Sequence, residues 1–200
     1  MKLPQSFYLN SDVVHLSRSL IGKYLFTCID GITTGGYIVE TEAYNGIIDR
    51  ASHSFGNKIT PRTKTMFMQG GIAYVYLCYG IHEMFNVVTS VEGQPHAILI
   101  RAIQPTDGLD EMLLRRNMSA LKPSITSGPG SVAKALGISR NINAISLQSD
   151  ILWIEDRGLT FRDNEIAAVP RVGVDYAGDD ALLPYRFYVK GNPYVSKPNK

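Results

Sequence analysis

The segment Val39-Glu40-Thr41-Glu42-Ala43-Tyr44 sets two acids and a tyrosine at alternating positions. On a strand Glu40, Glu42 and Tyr44 share one face, because successive side chains point to opposite sides. Acidic residues are poor strand formers, so the pattern needs a reason, and two stand open. One is an edge strand with a solvated, charged face. The other is a carboxylate held at the rim of a pocket as a general base. A second cluster, Tyr74-Val75-Tyr76-Leu77-Cys78-Tyr79-Gly80, puts Tyr74 and Tyr76 on one face and leaves Tyr79 beside a glycine at a turn. Core packing accounts for Tyr74, whereas an exposed aromatic at a hairpin tip can act as a wedge between base pairs. Asn86 and Arg101 lie in runs otherwise full of apolar residues, and polar groups in such runs must find partners if buried. Arg101 within reach of a carboxylate would form an ion pair, which serves structure as readily as catalysis. Residues 170–178, with Gly173 and Gly178, read as a loop whose backbone approaches something closely.

The elements that must hold these residues follow from pattern and punctuation. Asn10-Ser11-Asp12 can cap a helix carrying Val13, Val14, Leu16, Leu20 and Ile21. Asp30-Gly31 between apolar runs at 23–29 and 32–44 predicts a hairpin. Residues 45–60 read as a long polar loop, a kind that often carries function, and Thr60-Pro61 as the opening of a short helix. Strands are predicted at 72–79, 84–90 and 96–103, joined by turns at 80–83 and at Glu92-Gly93. Thr106 or Asp107 should cap a helix containing Leu109, Met112, Leu113 and Leu114. Ser127-Gly128-Pro129-Gly130 leads into another helix at 132–136. Further strands are expected at 151–155 and 185–190. Adjacent strands joined by turns, with helices grouped outside, predict an α+β single domain over residues 1–200. Its sheet should be mainly antiparallel and curved, with surrounding helices and a protruding β-hairpin. Residues 196–200 read as a frayed tail.

Composition sets bounds. The chain has 200 residues, 44% hydrophobic and 19% charged, which is ordinary for a globular protein. A net charge of +2 permits a polyanionic partner without demanding one. Two cysteines, Cys28 and Cys78, and four scattered histidines carry no metal-ligand spacing. No cofactor and no metal are expected. No signal peptide or membrane-spanning run is visible, so the expected location is the cytoplasm.

The blocks VETEAY at 39–44, Ala51-Ser52-His53-Ser54, Thr60-Pro61-Arg62, Met66-Phe67-Met68, AYVYLCYG at 73–80, Asn86, Leu99-Ile100-Arg101-Ala102, Ser127-Gly128-Pro129, Arg171-Val172-Gly173 and Arg186-Phe187-Tyr188-Val189 run in one order along the chain. In that order they resemble the signature blocks of the alkyladenine (3-methyladenine) DNA glycosylases over roughly residues 8–196. The resemblance implies a monofunctional hydrolase that cuts damaged purines from double-stranded DNA after flipping the nucleotide out, acting as a monomer. It implies Glu42 as the base that activates water, Arg101 as the partner that orients Glu42 and the water, and a backbone carbonyl near Val172 completing the water site. Tyr44 and Tyr76 would flank the flipped base, and His53 would contact its edge or the nearby backbone. Asn86 would reject the 2-amino group of guanine, and Tyr79 would intercalate. Two departures stand out. Gln69-Gly70-Gly71 lacks a proline common before AYVY, which predicts a looser hairpin entry, and Glu83 puts an acid near the proposed wedge. Alternatives are a non-catalytic nucleic-acid-binding module on the same scaffold, which would not need Glu42, and a glycoside hydrolase using Glu40 and Glu42 as a pair.

Overall fold

Asp30-Gly31 forms the turn its dipeptide implies. Both residues have positive φ, 53° and 78°, the pattern that matches the twist of a two-residue hairpin. Ahead of it lie two short helices, α1 (Gln5–Tyr8) and α2 (Val13–Ser19). The Asp12 carboxylate caps α2 by accepting the His15 amide at 2.8 Å. The turn joins β1 (Tyr24–Ile29) to β2 (Ile32–Tyr44). Next come β3 (Ile72–Cys78), β4 (His82–Thr89) and β5 (His96–Asp107). Helices α3 (Leu109–Arg116) and α4 (Pro129–Ala135) follow, then β6 (Leu152–Glu155), β7 (Ile166–Val169) and β8 (Arg186–Val189). The computed structural model describes residues 1–196.

The strands make one curled antiparallel sheet in the order β3-β4-β5-β2-β1-β6, with β8 pairing both β2 and β7. The fold is thus the expected α+β domain with a mainly antiparallel sheet. Helices α2, α3 and α4 pack against the β2–β4–β5 region, burying Leu16, Met112, Val132 and Ala133 with Ile38, Ile98 and Ile100. The β3–β4 hairpin protrudes from the sheet margin.

Strand β2 lies at the centre of this sheet and not at its edge. Its first half pairs with β1, its Glu40–Glu42 stretch with β8, and its other side along most of its length with β5. The edge-strand reading of Glu40 and Glu42 is therefore replaced: both acids are fully buried. The β2–β5 ladder breaks around Glu40. Ile38 pairs with Ile103 and Glu40 with Ala102, so Val39 is skipped; Thr41 then pairs with Ile100, so Arg101 is skipped. Such bulges re-aim side chains, and this one turns Arg101 toward the acids.

Several boundaries differ from expectation. β5 runs to Asp107, so neither Thr106 nor Asp107 caps α3; Gly108, at φ 69°, does so without a side-chain bond. α4 begins at Pro129, where a missing N–H costs nothing. Thr60-Pro61 opens only a turn, and a 3-10 helix follows at Lys64–Phe67. Gln69-Gly70-Gly71 is gripped and not loose: the Gly70 and Gly71 amides donate to the Ser90 and Val88 carbonyls, both at 2.9 Å, and Gln5 holds the Gly70 carbonyl at 2.6 Å. Ser196, assigned to the frayed tail, is instead hydrogen-bonded to the buried Glu40, while 197–200 lie outside the described residues.

Gly36 lies where β2 passes close against the β5 backbone. A Cβ there would stand 2.2 Å from the Gln104 carbonyl oxygen and 2.6 Å from Pro105 Cα, both backbone atoms. Overpacking of this kind costs about 1–3 kcal/mol. Gly36→Ala should therefore lower the melting midpoint by several degrees in thermal denaturation, and an unchanged midpoint would contradict the close β2–β5 approach.

Candidate active site

Glu40 and Glu42 share one face of β2, and the fold supplies each with donors. Glu40 Oε1 accepts from Arg101 Nε at 2.9 Å, Arg186 Nε at 2.7 Å and Ser196 Oγ at 2.9 Å, while its Oε2 accepts the Ser196 amide at 2.6 Å. Glu42 Oε1 accepts the Val172 amide at 2.8 Å. Its Oε2 accepts the Tyr44 hydroxyl at 2.9 Å and faces Arg101 Nη1 at 3.3 Å. A carboxylate offers about four lone-pair sites. Glu40 is thereby filled, whereas three donors from the described residues leave Glu42 room for one more. Burial, then the neighbouring Glu42 charge, push the Tyr44 hydroxyl well above its ordinary range, so it remains a phenol that donates.

Val172 reaches Glu42 because Arg171 anchors its loop. The Arg171 guanidinium forks onto Asp49 and also donates to the Ala43 carbonyl at 2.8 Å and the Asp180 carbonyl at 3.1 Å. Asp49 in turn holds the Asn45 and Ala51 amides, both at 3.0 Å. One bidentate pair thus ties the 170–174 loop to the loop after β2. The contact seen at Val172 is its N–H to Glu42.

All eight residues expected to form a site come together. Glu42, Tyr44, His53 and Tyr76 line one cavity of about 390 Å³, and Asn86, Arg101, Val172 and Tyr79 line it too. Its size and mixed lining suit a small aromatic ligand. Glu40 lies behind it, outside the lining, which removes the reading of Glu40 and Glu42 as two acids flanking a sugar bond. Asn86 is buried, and its Nδ2 donates to the Tyr74 carbonyl at 3.1 Å, so it satisfies backbone while facing the cavity.

The aromatic wall carries a cation already. Arg62 sits 4.6 Å from the Tyr76 ring centroid, and its Nη2 donates to His53 Nε2 at 3.0 Å. A guanidinium has no lone pair to offer, so Nε2 is the bare nitrogen and the ring proton sits on Nδ1, directed at the Tyr74 hydroxyl 3.0 Å away. Burial, then the Arg62 charge, lower the His53 pKa to about 4. Both ring nitrogens are engaged, so contact with a ligand edge requires Arg62 or Tyr74 to give way.

At the hairpin tip, Tyr79 has φ 50° and is 90% exposed, followed by Gly80 at φ 73°. The strand ends one residue before Tyr79, which occupies the turn itself. Glu83 pairs with Arg140 at 3.1 Å, so the acid near the tip is compensated from within the chain.

Among the described residues no group of three or more His, Cys, Asp or Glu is placed to hold a metal ion, and no helix is long and apolar enough to cross a membrane. Asp49 and Ser196 were missed as site-shaping residues, because each acts across more than a hundred positions. Arg186 stood in a signature block without a role; an arginine inside a short apolar strand was the available signal.

The model of the methylpurine-DNA glycosylase family matches residues 6–193. Proteins of Bacillus cereus (strain G9842) and Bacillus thuringiensis (strain Al Hakam) are 44% and 43% identical, each over 98% of this chain and 100% of their own length. A Chlamydia felis (strain Fe/C-56) protein is 45% identical over 92% of this chain and 94% of its own. Each bears the name "Putative 3-methyladenine DNA glycosylase".

The His53 geometry makes a prediction. Nitrogen-resolved NMR should show His53 as the neutral Nδ1–H tautomer from pH 8 to about 5, protonating near pH 4. An unfolded histidine titrates near pH 6.5. The unfolded chain therefore takes up a proton that the fold refuses between about pH 6.5 and 4, and this residue withdraws stability as pH falls through that window. A cationic His53 at pH 6 would refute the Arg62 contact.

Proposed function

This chain belongs to the methylpurine-DNA glycosylase family and is a DNA glycosylase, and from that premise we propose how its cavity works. The substrate is an alkylated purine, 3-methyladenine foremost, in double-stranded DNA, and the chain acts as a monomer on one flipped nucleotide. The observation that carries this reading is Glu42: a buried carboxylate on the cavity wall, oriented from three directions, with acceptor capacity left.

Alkylation at N3 or N7 makes the base a cation, and an electron-rich ring favours it by about 0.5–2 kcal/mol per face. Tyr44 and Tyr76 are the proposed stacking faces. Arg62 resting on Tyr76 supports that reading, since a planar cation already finds this wall favourable. Water held at the free acceptor position of Glu42 attacks C1′ as the C1′–N9 bond breaks. The water proton passes to Glu42, and the bond's electron pair leaves with the base, cancelling its positive charge. As the sugar gains oxocarbenium character, the Glu42 charge stabilises it. Arg101 acts as a positioning group, held between Glu40 and Glu42 and offering Nη1 to the latter. The Val172 carbonyl is proposed as a second acceptor for the water. Asn86 rejects guanine by crowding its 2-amino group. Tyr79 fills the gap left in the helix. Its strained, exposed backbone supports this role, because such strain persists at functional positions.

Two experiments test the assignment on duplexes carrying one lesion. Glu42→Gln should abolish excision, with a rate loss of at least about a hundredfold, while lesion-duplex affinity stays within a fewfold of the parent; matched loss of both would make Glu42 structural. Tyr79→Ser should weaken lesion-duplex binding about tenfold without lowering the melting midpoint, since the side chain makes no core contact. Unchanged binding would remove the wedge.

A further inference from the structure

We propose that Ser196 is a positioning residue for excision, acting on Glu42 through Arg101. The inference rests on the functional reading above, and it deepens that reading by adding a residue outside the cavity.

Each of the three nitrogens of the Arg101 guanidinium faces an acceptor. Nε goes to Glu40 at 2.9 Å, Nη2 to Ser196 Oγ at 3.0 Å, and Nη1 faces Glu42 at 3.3 Å. The first two bonds fix the plane of the fork, and the third direction is then set by geometry. Ser196 closes the arrangement. Its Oγ accepts from Arg101 and donates to Glu40 Oε1 at 2.9 Å, and its own amide holds Glu40 Oε2 at 2.6 Å. A residue with one hydroxyl and one amide therefore touches both the cation and the anion that stand behind Glu42. It lines no part of the cavity, so its influence on the reaction must pass through these two neighbours.

The segment that delivers Ser196 is itself fastened. Asn192 Nδ2 donates to Gln104 Oε1 at 2.7 Å, and Asn192 Oδ1 accepts the Tyr194 amide at 2.9 Å. Tyr194 and Val195 pack against the main core, and Ser127 Oγ reaches the Val195 carbonyl at 3.4 Å. The chain after β8 is thus pinned to β5, the strand that carries Arg101. Without the Ser196 hydroxyl, Arg101 Nη2 loses its acceptor in a nearly buried setting, and the guanidinium is free to rotate toward whichever carboxylate can take two of its donors. Nη1 then no longer stays fixed on Glu42.

The test is single-turnover release of 3-methyladenine, which carries no 2-amino group, from methylated duplex DNA, with affinity for that duplex and melting midpoint measured alongside. Ser196→Ala should lower the maximal excision rate about tenfold, with affinity within twofold of the parent and the protein folded at the assay temperature. Ser196→Thr keeps the hydroxyl and should restore the rate to within about threefold of the parent. Three results would overturn the proposal: a Ser196→Ala rate equal to the parent's, a rate loss matched by an equal loss of affinity, or failure of Ser196→Thr to rescue a folded protein. If the parent itself releases no base from this duplex, the functional reading fails and the positioning role fails with it. An active parent with an indifferent Ser196 sinks the positioning role alone.

Discussion

Two fully buried carboxylates, two residues apart on the most heavily paired strand, are the constraint around which this structure is arranged. Like charges in that position repel, and each alone would be costly to bury. The fold answers with two arginines, Arg101 and Arg186, plus directed amides and hydroxyls. The answer dictates architecture. Arg101 reaches the acids because the β2–β5 ladder is bulged at that point. Arg186 reaches Glu40 because β8 pairs alongside Glu40–Glu42. The Val172 loop is drawn in by Arg171 and Asp49. Buried ion clusters are weak sources of net stability, yet removing one member of such a set leaves an unpaired charge that costs several kcal/mol. Their value here is orientation: Glu40 absorbs donors until it is filled, and that anchors the arginine facing Glu42.

How far the sequence foretold this depends on the range of the interaction. Alternation alone placed Glu40, Glu42 and Tyr44 on one face, and that holds because side chains alternate wherever a strand lies. The same alternation is silent on whether the strand is central, so the edge reading stood beside the pocket reading until the partners of β2 were known. Asp-Gly at 30–31 and the protruding hairpin were legible because turn chemistry is local. The bulge at Arg101, the Arg171–Asp49 fork and the clasp at Ser196 were not, since each depends on register or on contacts across many tens of residues. The site residues were legible as an ordered set of blocks, but Arg101 appeared as a lone polar residue in an apolar run, with nothing local to say which acid it met. Gly70 and Gly71 mislead in the same way: a glycine pair suggests freedom, while the close approach of the Tyr8 and Ser90 backbones to Gly70 requires the missing side chain.

The cavity and the hairpin tip show the opposite economy from the ion cluster. In the cluster Glu40 takes four donors and Glu42 three; at the tip Tyr79 takes a left-handed backbone that favours glycine and exposes nine-tenths of a large ring. Neither feature adds to folding, because an exposed aromatic buries nothing and positive φ costs a residue with a side chain roughly 1 kcal/mol or more. A tyrosine persisting there implies a contact made only with a partner. The cavity wall carries the same message in electrostatic form. Arg62 has no carboxylate within salt-bridge distance among the described residues, yet it rests on Tyr76 and on the lone pair of a neutral histidine. Those are weak holds for a charged group, and they work because a tyrosine face attracts a planar cation. A wall whose tyrosine face already carries a guanidinium has the electrostatics to receive an alkylated purine, whose charge is likewise planar and delocalised. The arginine can be released, because solvent and phosphate both offer it an alternative that the buried arginines behind Glu42 do not have.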